Sequence, residues 1–191
     1  MYNGYVNIIC AISVALLCAK PAAAEESASS EFIIEGTAQP VCHVSPPTSS
    51  NANNVSFSGS TITVNNLIDQ NDATVQPWSV RLQFAQVMCN YNASVTIHSE
   101  NGGLVPVDTV DNVVAGSGEF LTRVDYVIDA NWGTVTLPQL NTASGQLTTQ
   151  EEAGGPNQAD LILVISMPGA SKPLVQAQYQ DTIKIKVGLT M

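Results

Sequence analysis

The chain has 191 residues, enough for one domain with a sizeable core, and its 45% apolar against 12% charged residues exclude a disordered or solvated helical protein. A formal net charge of −10 argues against nucleic acid or an anionic membrane as a partner. Val, Thr, Ser and Asn are abundant, with Ile throughout and Pro/Gly/Asn clusters at short intervals, which is the composition of an all-β protein.

Residues 1–24 read as a secretory signal peptide. Positions 8–19 form an apolar run too short to span a bilayer, and Ala22-Ala23-Ala24 offers the small residues of a signal-peptidase site before Glu25. Residues 1–7 lack the usual Lys or Arg, which a mis-assigned start codon would account for. Cys18 follows Leu17, too large a residue for a lipoprotein signal. Cleavage removes Lys20 and no acid, leaving five basic against sixteen acidic residues and a formal charge of −11. It also removes Cys10 and Cys18. The two remaining cysteines, Cys42 and Cys89, most economically form one disulfide in an exported chain. Closing that loop stabilises the fold by ~4 kcal/mol on chain-entropy grounds.

Residues 25–30 are small and polar, a flexible start. From 32 to 44 the even positions read Phe, Ile, Gly, Ala, Pro, Cys, Val, an extended segment with one apolar or small face. Two readings fit: a first strand that begins inside the domain, or a detachable strand before about Ala38 followed by the first strand proper. The stretch 45–54 reads as a turn-rich loop. Short strands are expected at 55–57 and 61–64, broken by Ser58-Gly59-Ser60, and residues 65–77 read as loop. Between 78 and 88, Trp78, Val80, Leu82 and Phe84 alternate with outward Arg81 and Gln83, a clear strand.

Another strand is expected at 94–98, ended by Glu100-Asn101-Gly102-Gly103, with short apolar pieces at 104–107 and 110–114. Residues 120–130 alternate Phe120, Thr122, Val124, Tyr126 and Ile128 against the other face. The stretch 140–158 carries no convincing period and reads as a long surface loop. Residues 160–167 form a nearly continuous apolar run, as in a central strand covered on both faces. From Tyr179 to Met191 every second side chain is apolar except Asp181, a long final strand with one buried face. A strand of that length at the end of a chain leaves an edge that something must cover. No long segment has a period of 3.6, so the pattern is one β-sandwich of about seven or eight strands.

The signal peptide, Pro-Val-Cys-His-Val at 40–44, Val-Met-Cys-Asn-Tyr at 87–91, the Ser-Glu-Asn-Gly-Gly-Leu turn at 99–104, the segment 126–133 ending Trp-Gly, and Tyr-Gln-Asp-Thr-Ile-Lys-Ile-Lys-Val at 179–187 together resemble the spore coat protein U family. That family includes the pilin subunits of archaic, Csu-type chaperone–usher pili. The resemblance spans essentially all of the chain after the signal peptide, and the terminal strand is its most specific part. It implies an incomplete immunoglobulin-like sandwich that lacks one strand and is completed by donor-strand complementation. It also implies a secreted, non-enzymatic subunit. Such a subunit is held in the periplasm by a chaperone, polymerised with other pilin subunits at an outer-membrane usher, and displayed as a surface fibre for attachment or biofilm formation. On this reading residues 25–37 form an N-terminal extension whose Phe32, Ile34 and Gly36 enter a neighbour, and residues 38–191 form the domain. Its acceptor groove is bordered by Val41, Val44, Ile183, Ile185, Val187 and Leu189. The alternative is a self-sufficient secreted sandwich that binds a ligand or carbohydrate as a monomer, with the N-terminal segment as its own first strand.

Neither a cofactor nor a metal is expected. His43 and His98 with Cys42, Cys89 and a methionine would suit type 1 copper, but the close Cys-His-Met ligand loop is absent and a disulfide consumes both thiols. No Gly-x-Ser-x-Gly elbow supports a hydrolytic triad, and Gly116-Ser117-Gly118 is more simply a turn. Asp108, Asp111, Asp125 and Asp129 follow turn and outward strand positions rather than a calcium loop. Asn92-Ala93-Ser94 is a formal glycosylation sequon without force in a bacterial host. Trp132 reads as core or an edge plug, with sugar stacking as the lesser alternative.

Overall fold

The computed structural model describes residues 31–108 and 118–189. The expected signal peptide and the short apolar piece at 110–114 lie outside the described residues. The chain divides between Ala38 and Gln39. In the first unit, residues 31–38 carry no helix or strand, and Phe32 and Ile34 are 85% and 95% exposed.

In the second unit the long extended first segment is not a continuous strand; only β1, Cys42–His43, joins a ladder, with Cys42 opposite Cys89. Residues 39–41 are held instead by the side chain of Asn90. Its Oδ1 accepts from Val41 N–H at 2.8 Å and its Nδ2 donates to Gln39 O at 2.8 Å. The stretch expected as a turn-rich loop contains β2, Pro47–Asn53, antiparallel to the strand at 78–89. Nearly all its side chains are exposed, so no apolar alternation marks it. An edge position tolerates Pro47, and the register shifts between Ser50 and Asn53, where Asn51 adopts φ 51°. The two expected short strands are β3, Val55–Ser58, and β4, Thr61–Val64, and the break between them is a hairpin turned at Gly59 with φ 61°. β5, Thr74–Val75, is a two-residue element in the expected loop.

β6, Trp78–Cys89, buries Trp78, Val80, Leu82 and Phe84 and then changes phase to Val87 and Cys89. The phase change is a bulge: Gln86 has φ 53°, and the carboxylate of Asp160 accepts from Gln86 N–H at 2.9 Å and from Gln83 Nε2 at 2.6 Å. β7, Ser94–Ser99, and β8, Val105–Pro106, follow, separated by Gly102 and Gly103 at φ 68° and 138°. β9, Val127–Trp132, begins seven residues later than the alternation from Phe120 suggests, because residues 120–126 find only isolated bridges, such as Leu104 with Val124. The facing is as expected from Val124 onward: Val124, Tyr126 and Ile128 are buried.

The stretch expected as a long surface loop is structured. After β10, Val135–Thr136, it holds β11, Leu140–Asn141, a 3-10 turn at Thr142–Ser144, and β12, Thr148–Glu152, which lies along β7. Leu140, Thr142 and Thr149 are buried. β12 packs only through Thr149, so its sequence carries no apolar period. β13, Asn157–Met167, is central as expected, paired with both β6 and β9. Only Leu161, Leu163, Ile165 and Met167 are fully buried, however; Ile162 and Val164 lie on a half-covered outer face. β14, Ala170–Pro173, pairs with β5. The single long terminal strand is two pieces: β15, Tyr179–Gln180, on β8, and β16, Ile183–Gly188, on β7.

The fold is thus an all-β sandwich. One sheet runs β1/β2, β6, β13, β9, β10/β11 and the other runs β12, β7, β16. Trp132, Ile128, Leu161 and Leu163 from the first pack in one core cluster with Val95 and Ile97 from the second. In chain order this is the A-B-E-D and C-F pairing of an immunoglobulin-type sandwich, with β16 in the sixth position.

Candidate functional site

β16 pairs with β7 through Ile183 opposite Ser99, Ile185 opposite Ile97 and Val187 opposite Val95. Residues opposite one another in an antiparallel pair point to the same face. Because Ser99, Ile97 and Val95 are all fully buried, Ile183, Ile185 and Val187 face the core too. Yet all three are only half-buried, while Lys184 and Lys186 are exposed on the other face. Among the described residues, nothing fully covers these inward-aimed apolar side chains. No described residue pairs with the outer edge of β16.

Next to Ile183 lies a cleft of about 670 Å³ lined by Ile62, Val64, Trp78, Tyr126, Ile165 and Tyr179 among others. Trp78 and Tyr126 lie with ring centroids 6.2 Å apart. The indole N–H of Trp78 is buried and finds no hydrogen-bond partner among the described residues. Burial raises the Tyr179 hydroxyl above its ordinary pKa, and that hydroxyl donates to Val175 O at 2.8 Å.

The mouth of the cleft is fixed by Asp181, the one break in the alternation of the last strand. Its carboxylate accepts from the Ser99 and Tyr126 hydroxyls at 2.6 Å each, from Asn101 N–H at 2.9 Å and from Gly103 N–H at 3.2 Å. It therefore ties the segment entering β16 to the turn after β7 and to the segment leading into β9. Burial works to raise the Asp181 pKa, but the hydrogen bonds from Ser99, Tyr126, Asn101 and Gly103 outweigh it and hold the carboxyl below its ordinary value. The same pairing, added to burial, pushes the Tyr126 hydroxyl well above the usual phenol range.

Of the residues expected to border an acceptor groove, Ile183, Ile185 and Val187 share one face, and Ile183 also lines the cleft. Leu189 lies beyond β16 and is 60% exposed. Val41 and Val44 flank β1 at the edge of the other sheet, 49% and 41% exposed, and do not line the cleft. Ile62, Val64 and Tyr179 line it instead. The alternation Thr61-Ile62-Thr63-Val64 marks a strand in the sequence, but nothing local places it across from residue 183.

The disulfide joins Cys42 to Cys89, pinning β1 to β6 at a Cα separation of 4.2 Å, with the Tyr91 hydroxyl 3.1 Å from Cys42 Sγ. Both thiols are therefore spent. His98 Nδ1 lies 2.8 Å from Thr148 Oγ1, and Asp125 pairs with Arg123 at 2.7 Å. Asp129 accepts from Gln139, Asp108 is exposed, and Asp111 lies outside the described residues. Among the described residues no three His, Cys, Asp or Glu side chains gather as metal ligands, and no helix is long and apolar enough to cross a membrane. Trp132 is core, its indole N–H shared between Val87 O at 3.1 Å and Ala159 O at 3.2 Å. No family model, curated protein or solved structure matches the chain.

Proposed function

We propose that this chain is a secreted structural subunit of a surface pilus, assembled by strand exchange as in the spore coat protein U and archaic chaperone–usher pilins that its sequence resembles. One observation carries the reading: the core-facing side chains of β16 stay half-exposed, with no described strand on their outer side. An added strand would bury Ile183, Ile185 and Val187 and satisfy the free backbone groups of β16, the physics of β-augmentation. Residues 31–36 suit the donor role, since Phe32 and Ile34 sit two apart and are almost fully exposed. Other subunits, a periplasmic chaperone and an outer-membrane usher are the partners this assembly requires, and attachment or biofilm formation is its downstream role.

The test is a peptide spanning residues 29–39 added to the purified protein. At about one hundred times its Kd it should stabilise the protein by ~2.7 kcal/mol and raise Tm by about 5–10 °C. A monomer whose Tm does not respond would refute strand exchange. The aromatic-lined cleft favours a second reading, a sandwich that binds a small ligand or sugar there. That reading requires Tm to respond to such ligands and not to the peptide.

A further inference from the structure

A strand laid beside β16 has an outer face as well as an inner one, and its charges are then prescribed. With Phe32, Ile34 and Gly36 turned inward, the period of two puts Glu31, Ile33 and Glu35 on the outside. On that same side β16 presents Lys184 and Lys186, both exposed. They are two of only five basic residues after position 24, whereas residues 25–38 contain Glu25, Glu26, Glu31 and Glu35 and no basic residue. Along β7 the outer-face neighbours of the lysines are His98, opposite Lys184, and Thr96, opposite Lys186, so no carboxylate of that strand neutralises them. Lys184 reaches Glu100 at 3.2 Å in a pair that solvent screens heavily, with side chains 61% and 48% exposed.

We propose that the free edge of β16 takes residues 31–37 of a second copy of this chain, and that Glu31 and Glu35 select it by pairing with Lys184 and Lys186 across the strand boundary. This deepens the strand-exchange reading and rests on it. The pairing does not depend on strand direction. With Ile34 opposite Ile185, parallel and antiparallel arrangements both put the glutamates on the lysine side, in direct or diagonal cross-strand contact. An acidic protein repels its own copies at long range, and a basic pair at the docking edge supplies the local attraction that association needs.

The experiment measures binding of labelled 29–39 peptides to the purified protein by fluorescence anisotropy. The native peptide is compared with Glu31→Lys/Glu35→Lys and with Phe32→Asp peptides, at about 0.05 M and about 0.5 M salt. The doubly reversed peptide should bind about tenfold more weakly at low salt, with most of the difference gone at high salt. Protein carrying Lys184→Glu/Lys186→Glu should reverse the preference. If the native and reversed peptides bind alike at low salt while the Phe32→Asp peptide fails, charge selection is overturned and strand exchange stands. If the native peptide does not bind at all, the strand-exchange reading fails and takes this inference with it.

Discussion

Replacing Asp181 with Asn tests whether the mouth of the cleft is built as described. The carboxylate takes five hydrogen bonds, two from hydroxyls and three from the backbone N–H groups of Asn101, Gly103 and the adjacent Thr182. Bonds to a charged group contribute about 1.5–3 kcal/mol each. Asn keeps one acceptor oxygen but turns an NH₂ toward donors, so two or three of the bonds are lost. The site is only half-buried, and solvent screening roughly halves the sum, leaving a loss of about 3 kcal/mol. For a unit of this size that lowers Tm by about 6–12 °C in a thermal melt at neutral pH. The pH dependence follows from the lowered folded-state pKa. The stabilisation is fully present above the ordinary carboxyl value of 3.8 and is lost as pH falls through the lower folded-state value. Stability of the native protein should therefore decline below about pH 4 more steeply than that of the Asn variant, which keeps only the contributions of other carboxylates such as Asp72, and the two curves should converge in acid. A loss below about 0.5 kcal/mol, or an Asn variant that keeps the native acid dependence, would refute the reasoning.

Legibility of the fold follows burial geometry. β6, β7 and β16 were readable because each lies with one face on the core, so apolar residues recur every second position. β2 and β12 were not, and for a common reason. Both are edge strands almost wholly in solvent, built mainly of Ser, Thr, Asn, Gln and Glu, and their ladder bonds come from the backbone rather than from any side-chain pattern. The phase change in β6 between Phe84 and Val87 was written in the sequence as two alternations out of step. Its cause, Asp160 reaching Gln86 N–H from a neighbouring strand, is a contact 74 residues away.

The candidate site shows the same division. Asp181 was visible as the lone polar residue in an apolar series, although its partners Ser99, Asn101, Gly103 and Tyr126 were not. Ile183, Ile185 and Val187 were assignable to a buried face by period alone. That the face stays half-open, and that Ile62 and Val64 rather than Val41 and Val44 line the cleft, depends on where the 55–64 hairpin packs. No local pattern encodes that.

The remaining predictions concern facing and the two tryptophans. Ile185→Asp should abolish binding of the 29–39 peptide and incorporation into fibres, whereas Lys184→Asp on the opposite face should change peptide binding by no more than a few fold; equal effects would undo the assigned orientation. Trp132→Phe and Trp78→Phe remove the same atoms from two buried sites. The Trp132 N–H serves Val87 O and Ala159 O, so its loss leaves two buried carbonyls short of a donor in addition to a cavity, a cost of about 2–4 kcal/mol. The Trp78 N–H has no partner to abandon among the described residues and lies beside an existing cleft, so its replacement creates little new void and relieves a buried unsatisfied group. Its cost should stay within about 1 kcal/mol in denaturant titration, and equal losses for the two variants would mean that the Trp78 N–H is satisfied after all.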